Sequence, residues 1–225
     1  MKNILGKMQK YYVKGGWHGI ISFILESMRQ RIQNRVVLFC TELAGSNVPQ
    51  ANLPVDIRVE RIESIAAIDS VDTKLLFERL GEKVVQRQFV KRFSKGAKLW
   101  LIKSQSDILG FSWTIRGVTK DFYYLPLSEW DVFHFDLLMF PEFRGGGIIA
   151  AATNAMLQRL AEEGVMRVYG AIKLWNEASL RFVTKTPMRA FGVARKINIF
   201  GYEILHFDDL SKYYKVNNLD SIKPH

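Results

Sequence analysis

The sequence predicts a mixed α+β fold: a mostly antiparallel sheet flanked by helices, with a helical extension at the N-terminus. Three observations lead there. Apolar periods of 2 and 3.6 residues follow one another in the order strand, helix pair, three strands, helix, strand, helix, two strands. That order is neither the strict strand–helix alternation of a doubly wound sheet nor an all-β pattern. A long alternating strand also runs through a triple glycine into a helical repeat between residues 133 and 160. Finally, 48% of the 225 residues are hydrophobic and 12% aromatic, enough to build a proper core.

Taken in order, residues 17–33 place Trp17, Ile20, Ile21, Ile24, Leu25, Met28 and Ile32 on one helical stripe, with Ser22, Glu26, Arg29, Gln30 and Gln33 opposite. Residues 35–43 form a short apolar strand. Gly45, Ser46, Asn47, Pro49 and Pro54 then mark a linker, so residues 1–54 are expected to precede a main domain of residues 55–212, with 213–225 as a tail. Residues 55–62 alternate as a strand. Residues 64–93 carry helical spacing interrupted near Gly81. Two strands follow at 98–103 and 108–116, joined by a polar turn at 104–107. Residues 121–127 are aromatic and loop-like, and 130–140 is the long strand. A helix over 146–163 stops at Gly164, a suitable C′ residue. A strand at 165–172, a short helix at 176–185 and a hairpin at 190–207, containing Asn198 and Gly201, complete the chain.

The stretch around the triple glycine carries the chemistry. Strict alternation puts Phe133, Phe135, Leu137 and Met139 on one side of the strand, and His134 with Asp136 on the other. Pro141 ends the strand, and Gly145, Gly146 and Gly147 lead into Ile148, Ile149, Ala152, Met156, Leu157 and Leu160 at helical spacing. Free amides and the positive dipole end of that helix make an anion site, which reads as a pyrophosphate cradle. It is not a P-loop, which needs Gly-Lys-Ser/Thr where Ile148 and Ile149 stand. Nor is it the dinucleotide fingerprint, because Ala150 takes its last glycine position.

The lead-in Pro141-Glu142-Phe143 and the run Arg144-Gly145-Gly146-Gly147-Ile148-Ile149 resemble the GNAT acyltransferase superfamily, whose loop reads Arg/Gln-x-x-Gly-x-Gly/Ala. Ile149 replaces the final small residue. A second, partial match follows in Asn176, Glu177, Ala178, Ser179 and Lys185, with Val183 at the usual tyrosine position and Pro187-Met188 in place of Gly-Phe. The resemblance covers about residues 55–207. It implies a GNAT-like sheet and an acyl-CoA-dependent N-acyltransferase using acetyl-CoA, or another acyl-CoA, as donor. Amides from Arg144, Gly145, Gly146, Gly147 and Ile148 would hold the pyrophosphate, and Arg144 would add charge. A backbone N–H at Leu138 or Met139 would meet the thioester oxygen, and Asn176 would bond the pantetheine. The small-molecule amine acceptor must be neutral to attack. Asp136 and His134 are the candidate bases, with Tyr123, Tyr124 and Tyr169 as further groups without motif support. The basic N-terminal extension, residues 123–127 and the Arg144-Gly145 loop also resemble GNAT proteins of bacterial surface-polysaccharide biosynthesis, implying an amino-sugar acceptor.

Charge bounds the partners. The net charge is +10, and residues 1–35 hold seven Lys and Arg against the single acid Glu26. Lys83, Arg87, Lys91, Arg92, Lys95 and Lys98 form a second basic cluster. An amphipathic helix with basic flanks suits the interface of an anionic membrane. Packing of that helix on the main domain is the competing reading. The lone Cys40, in an apolar run, is expected to be a structural thiol, and no Cys/His spacing suits a metal. The apolar run at 19–25 is too short to span a bilayer, so a cytoplasmic protein, peripheral at the inner membrane face, is expected. Two alternatives remain: a transferase of the same fold using aminoacyl-tRNA, for which nucleic-acid binding must be salt-dependent, and a non-catalytic module binding a membrane surface or a partner.

Overall fold

The computed structural model describes residues 35–43, 50–117, 124–199 and 202–208, with the single positions 21 and 48. The expected amphipathic helix at 17–33, apart from Ile21, lies outside these residues, as do Tyr123 and the tail from 213. Eight strands and four α-helices are described: β1 (Arg35–Glu42), β2 (Arg58–Ile62), α1 (Ser70–Leu80), α2 (Glu82–Phe93), β3 (Lys98–Lys103), β4 (Ile108–Arg116), β5 (Asp131–Met139), α3 (Ile148–Glu162), β6 (Arg167–Lys173), α4 (Glu177–Val183), β7 (Arg189–Ile199) and β8 (Tyr202–Asp208). They form one sheet in the order β2-β3-β4-β5-β6-β1-β7-β8. Every neighbouring pair is antiparallel except β5 and β6.

This is the mixed, mostly antiparallel sheet the periodicities predict, with one rearrangement. The strand at 35–42, expected ahead of the main domain, lies inside the sheet between β6 and β7, with Phe39 opposite both Gly170 and Ala190. It is therefore part of this sheet and not of a separate extension. Its partners come from the far end of the chain, which a local apolar run cannot announce.

Helices cover both faces. On one, α1 and α2 bury Leu76, Val85 and Phe89 against Leu99, Leu101, Phe111 and Trp113. Phe89 stands edge-on to Trp113 at 4.9 Å, and burial of a side chain this size is worth about 3 kcal/mol. On the other face, α3 sets Met156, Leu157 and Leu160 against Trp100, Val132 and Val168, while α4 sets Leu180 and Val183 against Val37, Phe39 and Val193. Asp69 starts α1 by accepting the Asp72 N–H at 2.7 Å. Gly81, at φ 85°, ends α1 and begins α2, so the interruption expected there is a one-residue joint. Buried Lys103 pairs with Asp72 and lies 3.4 Å from Glu60, anchoring β3 to the first turn of α1.

Gly110 of β4 lies opposite Met139, and a Cβ there would collide with the Leu138 carbonyl and stand 3.1 Å from Met139 Cα. Glycine at this position lets β4 and β5 approach closely where β5 reaches the cradle.

Candidate functional site

Two features of β5 build the site. The first is a bulge. Trp113 faces Phe135 and Phe111 faces Leu138, so Asp136 and Leu137 together oppose Ser112. Asp136 makes the extra residue by adopting φ 49°, alone among the described non-glycine residues in having positive φ. Alternation reverses across it. Phe133, Phe135, Leu138 and Phe140 line the α1/α2 face, whereas Leu137 and Met139 pack toward α3 with Ile148 and Ile149. The expected single side for Phe133, Phe135, Leu137 and Met139 is thus corrected. The apolar doublet Leu137-Leu138 was the only signal of this reversal in the sequence.

The bulge also separates the two candidate bases. Asp136 turns to the α2 face, where it pairs with Arg92. The Arg92 guanidinium lies over the rings of Trp113 at 5.0 Å and Phe135 at 5.7 Å. Burial lowers the pKa of Arg92, and Asp136 offsets part of that shift. His134 shares the α3 face with its cross-strand partner Thr114, whose hydroxyl accepts from Trp100 Nε1 at 2.8 Å. It is buried, its Nε2 has no hydrogen-bond partner among the described residues, and burial drives its pKa down to about 4. An imidazole so placed stays neutral and takes up a proton poorly. The expectation that Asp136 and His134 share a face therefore fails, because strict alternation does not survive the bulge.

The second feature is a wedge. β5 and β6 pair in parallel only from Asp131–Arg167 to Phe133–Tyr169, then part. Because Phe140 N–H donates to Leu109 C=O at 3.0 Å, ladder alternation commits Leu138 N–H to β4. The Met139 N–H and C=O then point away from β4, toward the gap. Of the two expected donors, Met139 is the one facing the wedge. Its carbonyl accepts Arg144 Nε at 3.1 Å, so Arg144 is tied to the strand end and its remaining guanidinium N–H groups are left for a ligand.

The cradle follows. Pro141–Phe143 forms one 3-10 turn, clamped by Arg79 of α1. That guanidinium lies over Phe140 at 4.7 Å and Phe143 at 5.2 Å, and pairs with Asp107 at 2.7 Å and with Glu142. Gly145, Gly146 and Gly147 follow at φ 107°, 58° and 76°, conformations that turn successive amides to one side. The first backbone bonds of α3 run from Ala150 and Ala151 to the Gly147 carbonyl. The amides of residues 145–149 have no acceptor among the described residues, and no side chain caps the helix. Arg144 and the three glycines are exposed. Such an N-terminus suits a bulky anion.

Asn176 is placed differently. Its side-chain oxygen caps α4, accepting the Ser179 N–H at 3.2 Å, so it is committed first to starting that helix. Val183, at the expected tyrosine position, is buried under α4. Tyr169 lies across from Cys40, and burial pushes its phenol up to about 12 and the Cys40 thiol up to about 11. Both stay protonated at neutral pH. Sequence reasoning missed Arg79 and Arg92, because their aromatic partners are distant in the chain.

No protein-family model matches the chain, and no curated protein matches it in sequence. Solved structures do match in shape. A conserved protein of unknown function from Staphylococcus epidermidis superposes with a TM-score of 0.50 at 9% identity, over 71% of this chain and 58% of that one. A GCN5-related N-acetyltransferase from Sphaerobacter thermophilus gives a TM-score of 0.49 at 12% identity, over 91% and 68%. An aminoglycoside acetyltransferase from an uncultured soil sample, in complex with sisomicin, gives 0.42 at 16%, over 58% and 87%. The chain spans only about half of the first two structures it matches, 48% of each. At such identities these likenesses concern fold and not activity. None of the structures named is described as a surface-polysaccharide protein.

Proposed function

We propose that the protein is an acyl-CoA-dependent N-acyltransferase, acetyl-CoA being the first donor to test and a small-molecule amine the acceptor. The observation that carries this reading is the junction of wedge and cradle: β5 leaves β6 after three residue pairs, and five unsatisfied amides follow it at the start of α3. A long ligand with a diphosphate at one end and a reactive group at the other fits that pair of features. The residues present suit coenzyme A, since the amides of residues 145–149 and Arg144 provide a diphosphate with donors and positive charge. When bound, acyl-CoA supplies an activated thioester.

Met139 N–H, facing the gap, is the donor for the thioester oxygen, an interaction that strengthens as negative charge develops there. Asp136, more than half exposed on the α2 side, orients the incoming amine through its carboxylate. Arg92 pairs with that carboxylate and fixes its position, so it serves as an anchor, and the amine proton leaves to water. His134 serves as a neutral hydrogen-bonding group at the apex of the wedge. An amino-sugar acceptor and an aminoglycoside-like acceptor are both compatible with this arrangement.

Calorimetric titration with acetyl-CoA tests the reading, repeated on Arg144→Glu. Binding that the charge reversal abolishes supports it. No binding of acetyl-CoA or of longer acyl-CoA to the wild-type chain rejects it.

A further inference from the structure

The outward crest of α2 is unlike those of the other helices. Exposed residues at i, i+4 spacing are oppositely charged and close on α1 (Lys74 and Glu78, 4.0 Å), α3 (Arg159 and Glu163, 3.5 Å) and α4 (Glu177 and Arg181, 3.7 Å). On α2 the same spacing carries Lys83, Arg87 and Lys91, all exposed and none in an ion pair among the described residues. Like charges four apart weaken a helix, so this row works against the element that bears it. Val85 and Phe89 face the core, which sets the row on the opposite side. Val84 (41% exposed) and Val90 (49%) flank the row.

We propose that this crest is a docking surface for an anionic lipid bilayer. Lipid phosphates complement the three cations, and the headgroup region accepts the aliphatic Val84 and Val90 on either side of them. A single-stranded nucleic acid fits less well. Its bases stack on exposed aromatic faces, and the aromatic residues of α2 are turned inward, Phe89 being buried and Phe93 packed at 5.0 Å on Trp113. No helix among the described residues is long and apolar enough to cross a membrane, so the contact is peripheral.

The test is co-sedimentation of the full chain with vesicles of equal parts phosphatidylglycerol and phosphatidylcholine, against pure phosphatidylcholine. Each cation near an anionic surface is worth roughly fivefold in partitioning, so Lys83→Gln, Arg87→Gln and Lys91→Gln together should weaken binding on the order of 100-fold. Arg58→Gln, Arg181→Gln and Arg189→Gln, which remove the same charge elsewhere, should weaken it far less. Val90→Asp, at an exposed position, should weaken it in the same direction as the α2 triple variant. Equal loss in the two triple variants, or unchanged binding of the α2 variant because the N-terminal cations suffice, overturns the proposal. So does single-stranded RNA that binds through the same three cations and displaces the protein from the vesicles. The outcome is independent of coenzyme A binding, so it stands or falls apart from the proposed activity.

Discussion

Acidification tests the environment of His134 directly. In an unfolded chain its imidazole titrates near 6.5, whereas burial holds it near 4 in the fold. Between those values the unfolded chain binds the proton and the folded one does not, so stability falls as pH falls. At about 1.4 kcal/mol per pH unit, the loss from this group is roughly 2 kcal/mol by pH 5 and about 3 kcal/mol once pH 4 is reached. Above pH 6.5 both states are neutral and the contribution vanishes. Urea denaturation at a series of pH values, on wild type and His134→Gln, reads the effect as a difference in slope, which removes the contribution of carboxylates common to both. The wild type should lose stability faster between pH 6.5 and 5, while the glutamine variant, whatever its starting stability, should be nearly flat there. Parallel slopes would refute the buried, unpartnered imidazole. A wild type that gains stability on acidification would mean a charged histidine with an unseen partner, and would restore it as a candidate base.

Other outcomes follow from named contacts. Burial tends to raise the Asp131 carboxyl, but Arg167 Nε at 2.8 Å and the Ser128 N–H and hydroxyl outweigh it and hold the pKa down. Its stabilising contribution is therefore complete above about pH 4 and lost as pH falls through the depressed value, and Arg167→Gln should flatten that acid limb in denaturation curves. Cys40, with its thiol near 11 against an ordinary 9.0, should react with a disulfide reagent at pH 8 about 100-fold more slowly than a free thiol, and at the ordinary rate only in denaturant. Gly145→Ala should cost more than Gly146→Ala: φ 107° lies outside the left-handed well, whereas φ 58° lies inside it. With no atom in the way of either Cβ, the penalties are conformational, about 2 and about 1 kcal/mol, readable as shifts in urea midpoint. Arg79→Met should lower stability by about 1–2 kcal/mol and weaken acetyl-CoA binding, because it releases Phe143 and the turn that presents the cradle.

Much of this fold was legible in the residues because period, caps and breakers agreed. The strands at 98–103 and 108–116, the interruption at Gly81 and the helix ending at Gly164 all appear within a residue or two of where their patterns put them. The glycine loop was legible for the same reason, since three glycines between a strand and an apolar helical repeat leave few conformations. Two things were hidden. The place of residues 35–42 depends on partners in β6 and β7, and no local feature of Val36–Phe39 encodes them. The side to which Asp136 points depends on one backbone angle, and a bulge costs the sequence only a doublet of leucines. The placing of Asp136 and His134 on one face of the strand failed at that residue.

The insertion of β1 between β6 and β7 has a consequence for how the chain acquires its structure. The strand is among the first segments of the described chain to be synthesised, yet its neighbours are among the last, and without it β7 and β8 lose the strand that links them to β6. Val37, Leu38 and Phe39, fully buried in the finished sheet, must wait as exposed apolar residues while the rest is made. Closing so long a loop late makes slow, high-contact-order folding the expectation. The nascent chain then carries an aggregation-prone strand through most of its synthesis, and removal of the segment ahead of residue 43 would strand the β7–β8 hairpin instead of merely trimming an appendage.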